Sequence, residues 1–141
     1  MKFSERIIEW QNLHGRNNLP WQTNDPYKVW VSEIMLQQTQ VSTVIPFYEN
    51  FMKSFPNVLT LSKANLDEVL KNWAGLGFYR RARNLHQTAK IITDKYHQVF
   101  PDNYEDLVDL PGIGESTAGA ILALAFNLSL IHISEPTRQI R

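Results

Sequence analysis

Apolar positions along the chain recur at helical spacing almost throughout. Phe3, Ile7, Trp10 and Leu13 lie three or four apart, with Ser4 placed to cap and Gly15 to stop, which predicts an N-terminal helix from Phe3 to His14. A polar loop holding Pro20 and Pro26 follows, and Pro26 suits the first turn of a helix running from about Tyr27 to Leu36. Val41, Val44, Ile45, Tyr48, Phe51, Met52 and Phe55 trace one stripe, which Pro46 interrupts and is expected to kink unless it lies near the helix start. The run Asn65-Leu-Asp-Glu68 reads as a capping box for a short helix ending near Gly75. Phe78, Ala82, Leu85, Ala89, Ile92 and Tyr96 mark a longer helix. Asn103 to Asp109 forms a short one closed by Pro111, and Ser116 to Phe126 a last one rich in small residues. No period-2 run of useful length and no internal repeat occurs, so the fold class is all-α.

The stretch Leu128-Ser-Leu-Ile-His-Ile-Ser-Glu-Pro-Thr-Arg138 breaks this order. It has neither helical period nor capping logic, and it resembles the translation of a common sequencing adapter. Residues 128–141 are therefore expected to be a non-native tail and are set aside from fold reasoning.

Composition sets bounds. With 141 residues, 43% hydrophobic and 20% charged, the chain suits one globular domain and is not disordered over most of its length. No apolar run approaches the roughly 18 residues that span a bilayer, and the charged N-terminus is unlike a secretory signal. The absence of cysteine removes disulfides, thiolate catalysis and Cys-ligated metal from these residues. Fourteen basic and fourteen acidic side chains cancel. Their distribution is uneven: Arg80, Arg81, Arg83, Lys90 and Lys95 cluster in one helix, and Asp102, Glu105, Asp106, Asp109 and Glu115 follow it. Solvated, mutually attracting faces account for that pattern as well as a binding surface does.

Leu110-Pro-Gly-Ile-Gly114 joins two short helices. Gly112 and Gly114 can take positive φ and let another backbone come close, and Ser116 and Thr117 open a helix whose first N–H groups lack intrahelical partners. Turn amides together with a helix N-terminus make an anion site that needs no net positive charge. A plain helix-joining turn is the competing reading.

Four runs occur in one order: Leu19-Pro-Trp-Gln22; Tyr27-Lys-Val-Trp-Val-Ser-Glu-Ile-Met-Leu-Gln-Gln-Thr-Gln-Val41; Gly75-Leu-Gly-Phe-Tyr-Arg-Arg-Ala-Arg-Asn84; and Leu110-Pro-Gly-Ile-Gly114. In this the chain resembles the N-terminal part of MutY-type adenine DNA glycosylases, within the helix–hairpin–helix glycosylase superfamily, over nearly all of residues 1–127. The resemblance implies a six-helix barrel over 19–127, truncated at its C-terminal side, with 1–18 packing on an iron–sulfur part. The four cysteines of that part's 4Fe-4S cluster are not in this chain, so no cofactor and no metal are expected here. The helix carrying Ile7 and Trp10 is expected to fray.

The implied activity is hydrolytic removal of adenine mispaired with 8-oxoguanine or guanine in double-stranded DNA. A monomer is implied, with no membrane partner, in the cytoplasm at the bacterial nucleoid. By resemblance Glu33 is the general acid, a carboxyl held among Val29, Trp30, Ile34 and Met35 with a raised pKa; an exposed Glu paired with Lys28 or Gln37 is the alternative. Leu19, Trp21, Gln22, Leu36 and Val41 resemble the adenine pocket. Gln37, Gln38, Thr39, Phe78 and Tyr79 take the wedge and lesion contacts, with Phe78 where many relatives have Tyr. Gly112, Ile113, Gly114, Thr117, Arg80, Arg81 and Arg83 take the DNA backbone. Ser116 stands where bifunctional glycosylase-lyases carry a nucleophilic Lys, which implies base removal without strand cleavage. The family's second catalytic carboxylate counts to Ser134, and no Asp follows Asp109, so the chain as written is expected to be inactive or impaired. The rival readings are a non-catalytic helix–hairpin–helix DNA-binding module and an endonuclease III-like lyase. His14, His86 and His97 are expected at the surface.

Overall fold

The computed structural model describes residues 24–127, and the N-terminal helix, Leu19, Trp21, Gln22, His14 and the tail from 128 lie outside them. Among the described residues there are helices and no strand: α1 Pro26–Leu36, α2 Val41–Ser54, α3 Val58–Lys63, α4 Leu66–Trp73, α5 Tyr79–Lys95, α6 Tyr104–Val108 and α7 Glu115–Ala125.

α1 begins where Asp25 accepts a hydrogen bond from the Tyr27 amide at 3.0 Å, with Pro26 in the first turn. It is buried on every face, with Tyr27 and all of Val29 to Met35 inside the core. A helix apolar all round belongs at the centre of a bundle, and here it packs against α2, α5 and, most extensively, α7. α7 permits that approach through Ala118, Gly119 and Ala120, all buried.

α2 runs through Pro46 from Val41 to Ser54, burying Val44, Tyr48 and Phe51. Pro46 is exposed near its start. Tyr27 donates its hydroxyl to the Phe55 carbonyl at 2.6 Å, tying α1 to the residue that closes α2. The capping box of α4 is present: Asn65 Oδ1 accepts from the Glu68 amide at 2.9 Å and Glu68 Oε1 from the Asn65 amide at 3.3 Å. α3 is one the periodicity missed. Six residues are too few for a stripe, and the available signal was its cap, Asn57 accepting from the Thr60 amide at 2.9 Å.

α5 is the long element against which α3 and α4 rest. Two expectations fail on it. Phe78 is not part of the buried stripe; it precedes the helix in a left-handed conformation (φ 51°) and is 58% exposed. His86 is buried rather than at the surface, its Nε2 lying 2.7 Å from the Ala64 carbonyl.

Candidate nucleic-acid interface and buried carboxyl

The hairpin is built by its own hydrogen bonds. The Leu110 amide donates to the Leu107 carbonyl and the Ile113 amide to the Leu110 carbonyl, both at 3.1 Å, and Ala118 N–H to Gly114 O at 2.9 Å opens α7. Thr88 on α5 donates to the Pro111 carbonyl at 2.7 Å and fixes the turn to the bundle. Gly112 sits at φ +79°, where a Cβ would come within 2.9 Å of Asn84 Cβ. Gly114 departs from the expectation. Its φ is −93°, extended backbone that any residue adopts, and a Cβ there meets nothing within 4 Å. Its contribution is an exposed main chain, not a special conformation. Ile113 and Thr117 are 3% exposed, so their side chains belong to the interior and only their main chain can face a DNA backbone. Ser116 is half-buried in the first turn of α7.

Glu33 has no exposed surface at all. Glu33 is therefore not the solvent-exposed helix residue of the alternative reading. α1 reaches the hairpin helix through its end: Gln37, just past the helix, donates from Nε2 to Thr117 Oγ1 at 3.4 Å. Leu36 and Val41, the two described members of the expected adenine pocket, are half-buried on either side of the 37–40 loop. Gln38 and Gln40 are exposed and Gln37 and Thr39 half-buried, so the first two present their amides outward while that of Gln37 turns in to Thr117.

The three expected arginines divide. Arg80 and Arg83 point to solvent. Arg81 does not, and its assignment to phosphate contact is corrected: it is 9% exposed. Its Nη1 donates to the carbonyls of Ile34 at 2.8 Å and Met35 at 3.1 Å, and also to that of Gln37. The helix ends before an i+4 amide can reach these carbonyls, although that of Ile34 also accepts from the Gln37 amide at 3.3 Å, and the negative end of the helix dipole attracts the cation. Burial lowers the Arg81 pKa from its ordinary value.

Phe78 and Tyr79, 58% and 45% exposed, project beside this site. Gln37, Gln38, Phe78, Arg80, Arg81 and Asn84 line an open groove of about 640 Å³. A smaller cavity of about 40 Å³ touches Gln37, Arg81 and Asn84 on one side and Pro111 and Gly112 on the other, so groove and hairpin share one wall. Sequence reasoning gave Asn84 no role. It lies one turn after Arg81 on the same face of α5, which was the available signal.

Residues 31–128 match the model of the HhH-GPD superfamily of base excision DNA repair proteins. The chain belongs to that superfamily. It is 56% identical over 127 residues to an adenine DNA glycosylase of Buchnera aphidicola subsp. Baizongia pistaciae, covering 89% of this chain and 36% of that protein. It is 40% identical over 134 residues to the adenine DNA glycosylase of Homo sapiens, covering 88% of this chain and 24% of that protein. The chain thus spans about a third or less of these curated relatives. Among solved structures it resembles a thermostable thymine-DNA glycosylase with a TM-score of 0.74 at 30% identity, over 89% of this chain and 58% of that one. A non-covalent endonuclease III–DNA complex shares the fold with a TM-score of 0.73 at 17% identity, over 99% of this chain and 67% of that one. The iron–sulfur cluster implied by the resemblance finds no thiolate among these 141 residues. No group of three His, Cys, Asp or Glu able to hold a metal occurs among the described ones. These residues do not fit the cluster.

Proposed function

We propose that this chain grips double-stranded DNA and protonates an extruded adenine, as the base-recognising part of an adenine DNA glycosylase acting on adenine opposite 8-oxoguanine or guanine. The observation that carries it is a fully buried carboxyl, Glu33, on the helix that packs most extensively against the hairpin helix. Burial of a carboxyl disfavours its charged form, which suits a group that has to donate a proton. The proton passes to N7 of adenine, the pair of electrons in the N-glycosidic bond leaves with the base, and the base departs neutral. The sugar carries the positive charge until water adds at C1′, its released proton restoring the Glu33 carboxyl.

The hairpin main chain from Gly112 to Gly114 receives a phosphate, joined by exposed Arg80 and Arg83. Gln37, Gln38, Thr39, Phe78 and Tyr79 occupy the gap that the extruded base leaves and meet the opposite guanine. Ser116 has no amine to attack the sugar, so the backbone stays uncut. A carboxylate that stabilises the sugar cation is missing at Ser134, and base release by the 141-residue chain alone is expected to be slow by powers of ten.

A duplex with one adenine–8-oxoguanine pair tests this. The chain is expected to bind it in preference to a matched duplex and to release adenine slowly over long incubation, with strand breaks only after alkali. Glu33→Gln should cut release by about 100-fold or more while leaving binding intact. Binding with no release at any time supports a non-catalytic DNA-binding module instead, which the neutral hairpin alone would also provide. Strand cleavage without alkali would overturn the reading of Ser116.

A further inference from the structure

Two short segments border the groove, and each contains a non-glycine residue held at positive φ: Gln38 at 61° in the loop after α1 and Phe78 at 51° before α5. Such conformations cost free energy and persist only where the surroundings over-determine them. Local bonds act on each segment separately, Thr39 Oγ1 on the Gln37 carbonyl at 3.4 Å and Trp73 Nε1 on the Gly77 carbonyl at 3.0 Å, and Phe78 caps α5 without any side-chain hydrogen bond. One buried side chain touches both segments. From α5, Arg81 Nη1 donates to the carbonyls of Ile34, Met35 and Gln37. Its Nη2 lies 3.5 Å from Thr39 Oγ1 and from the Gly77 carbonyl. The guanidinium carbon stands 5.4 Å from the ring centres of both Trp73 and Phe78.

We propose that Arg81 is a positioning residue whose guanidinium clamps the loop of Gln37 to Thr39 to the turn of Gly77 and Phe78, so that the two halves of the DNA wedge are held as one preformed unit. This rests on the reading above that Gln37, Gln38 and Phe78 enter DNA. Capping the end of α1 needs only the donors aimed at Ile34 and Met35. The further contact of Nη1 with the Gln37 carbonyl, those of Nη2 with Thr39 and Gly77, and the stacking on Phe78 are surplus to a helix cap. They join the two segments that project from the surface. Planarity matters here: a guanidinium places several donors in one fixed fork and stacks on aromatic faces, whereas an ammonium is a point charge with neither property. Preorganisation of this kind lowers the ordering cost that flexible loops would incur on entering a duplex.

The test uses the full chain with Arg81→Met and Arg81→Lys, the second keeping a cation at the end of α1. Both are first checked for native helicity and melting. In DNA-free protein, amide hydrogen exchange is followed at Thr39 and Leu76, which donate to the Leu36 and Trp73 carbonyls in the two clamped segments, and at Val69, remote from them. Exchange at Thr39 and Leu76 is expected to quicken about tenfold in Arg81→Lys, with Val69 unchanged. Preference for the adenine–8-oxoguanine duplex over a matched one should fall about tenfold, while affinity for the matched duplex holds within about twofold. Wild-type exchange at Thr39 and Leu76 in a folded Arg81→Lys protein overturns the clamp. So does failure of both variants to fold, which makes Arg81 a plain core prop. If wild-type protein shows no mispair preference, the functional reading fails on its own, and the exchange data still decide the clamp.

Discussion

A single methyl group separates the roles of the two hairpin glycines. Gly112 combines a φ of +79° with a 2.9 Å approach to Asn84 Cβ, so Gly112→Ala meets both backbone strain and a clash with a helix-borne side chain. It should lower unfolding free energy by about 1–3 kcal/mol, read as a drop in urea midpoint at constant slope. Gly114→Ala adds its methyl to open space at φ −93° and should stay within about 0.5 kcal/mol of wild type. If the exposed main chain at Gly114 meets DNA, that same variant should nonetheless weaken duplex binding. Equal stability losses at the two positions would contradict this division. The arginines teach the same lesson in charge. Arg80 and Arg83 face water and Arg81 faces carbonyls, although the three lie within four consecutive positions.

Between elements, polar contacts at helix ends set the geometry that apolar packing alone leaves loose. Tyr27 on α1 donates to Phe55 at the end of α2, and Tyr48 is buried beside it at 2% exposure. Burial, chiefly, pushes both phenols well above the usual tyrosine range, with Tyr48 and Asp25 adding to the effect on Tyr27 and Asp25 to that on Tyr48. The unfolded chain ionises these groups near pH 10 while the folded one keeps its protons. Above that pH the unfolded state binds fewer protons than the native state, so stability is fully present below about pH 10 and falls as pH rises. The urea midpoint should therefore drop between pH 8 and about pH 10.5, and Tyr27→Phe should shrink the drop. A midpoint that stays level over that range in the wild-type protein would show that the phenols ionise as freely inside as out.

At the scale of the whole molecule, zero net charge and DNA binding are compatible because a main-chain anion site needs no lysine or arginine. The consequence is measurable in salt. With Arg80 and Arg83 as the exposed arginines of the basic helix near the groove, the logarithm of duplex affinity should fall with the logarithm of salt at a slope near about −2. Arg80→Gln should reduce that slope by about one, and Arg81→Met should leave it unchanged, because a buried cation displaces no counterion from phosphate. A slope several units steeper would point to lysines outside the groove, such as Lys90, as partners.

The sequence by itself determined the helical class, most element positions and the family motifs. Periodicity, caps and turn residues are local, and Asn65 with Glu68 or Pro26 at the start of α1 act within four residues of themselves. Glu33 was legible as a candidate because a carboxyl amid apolar neighbours is visible in one helical turn. Its complete burial was decided only when α2, α5 and α7 closed around α1. Arg81, His86 and Thr117 carried no local mark of their partners, which lie 46, 22 and 80 residues away in the chain. Whether a charged or polar side chain meets water or a carbonyl depends on which distant backbone the packing of helices brings to it, and that is a property of the folded structure alone.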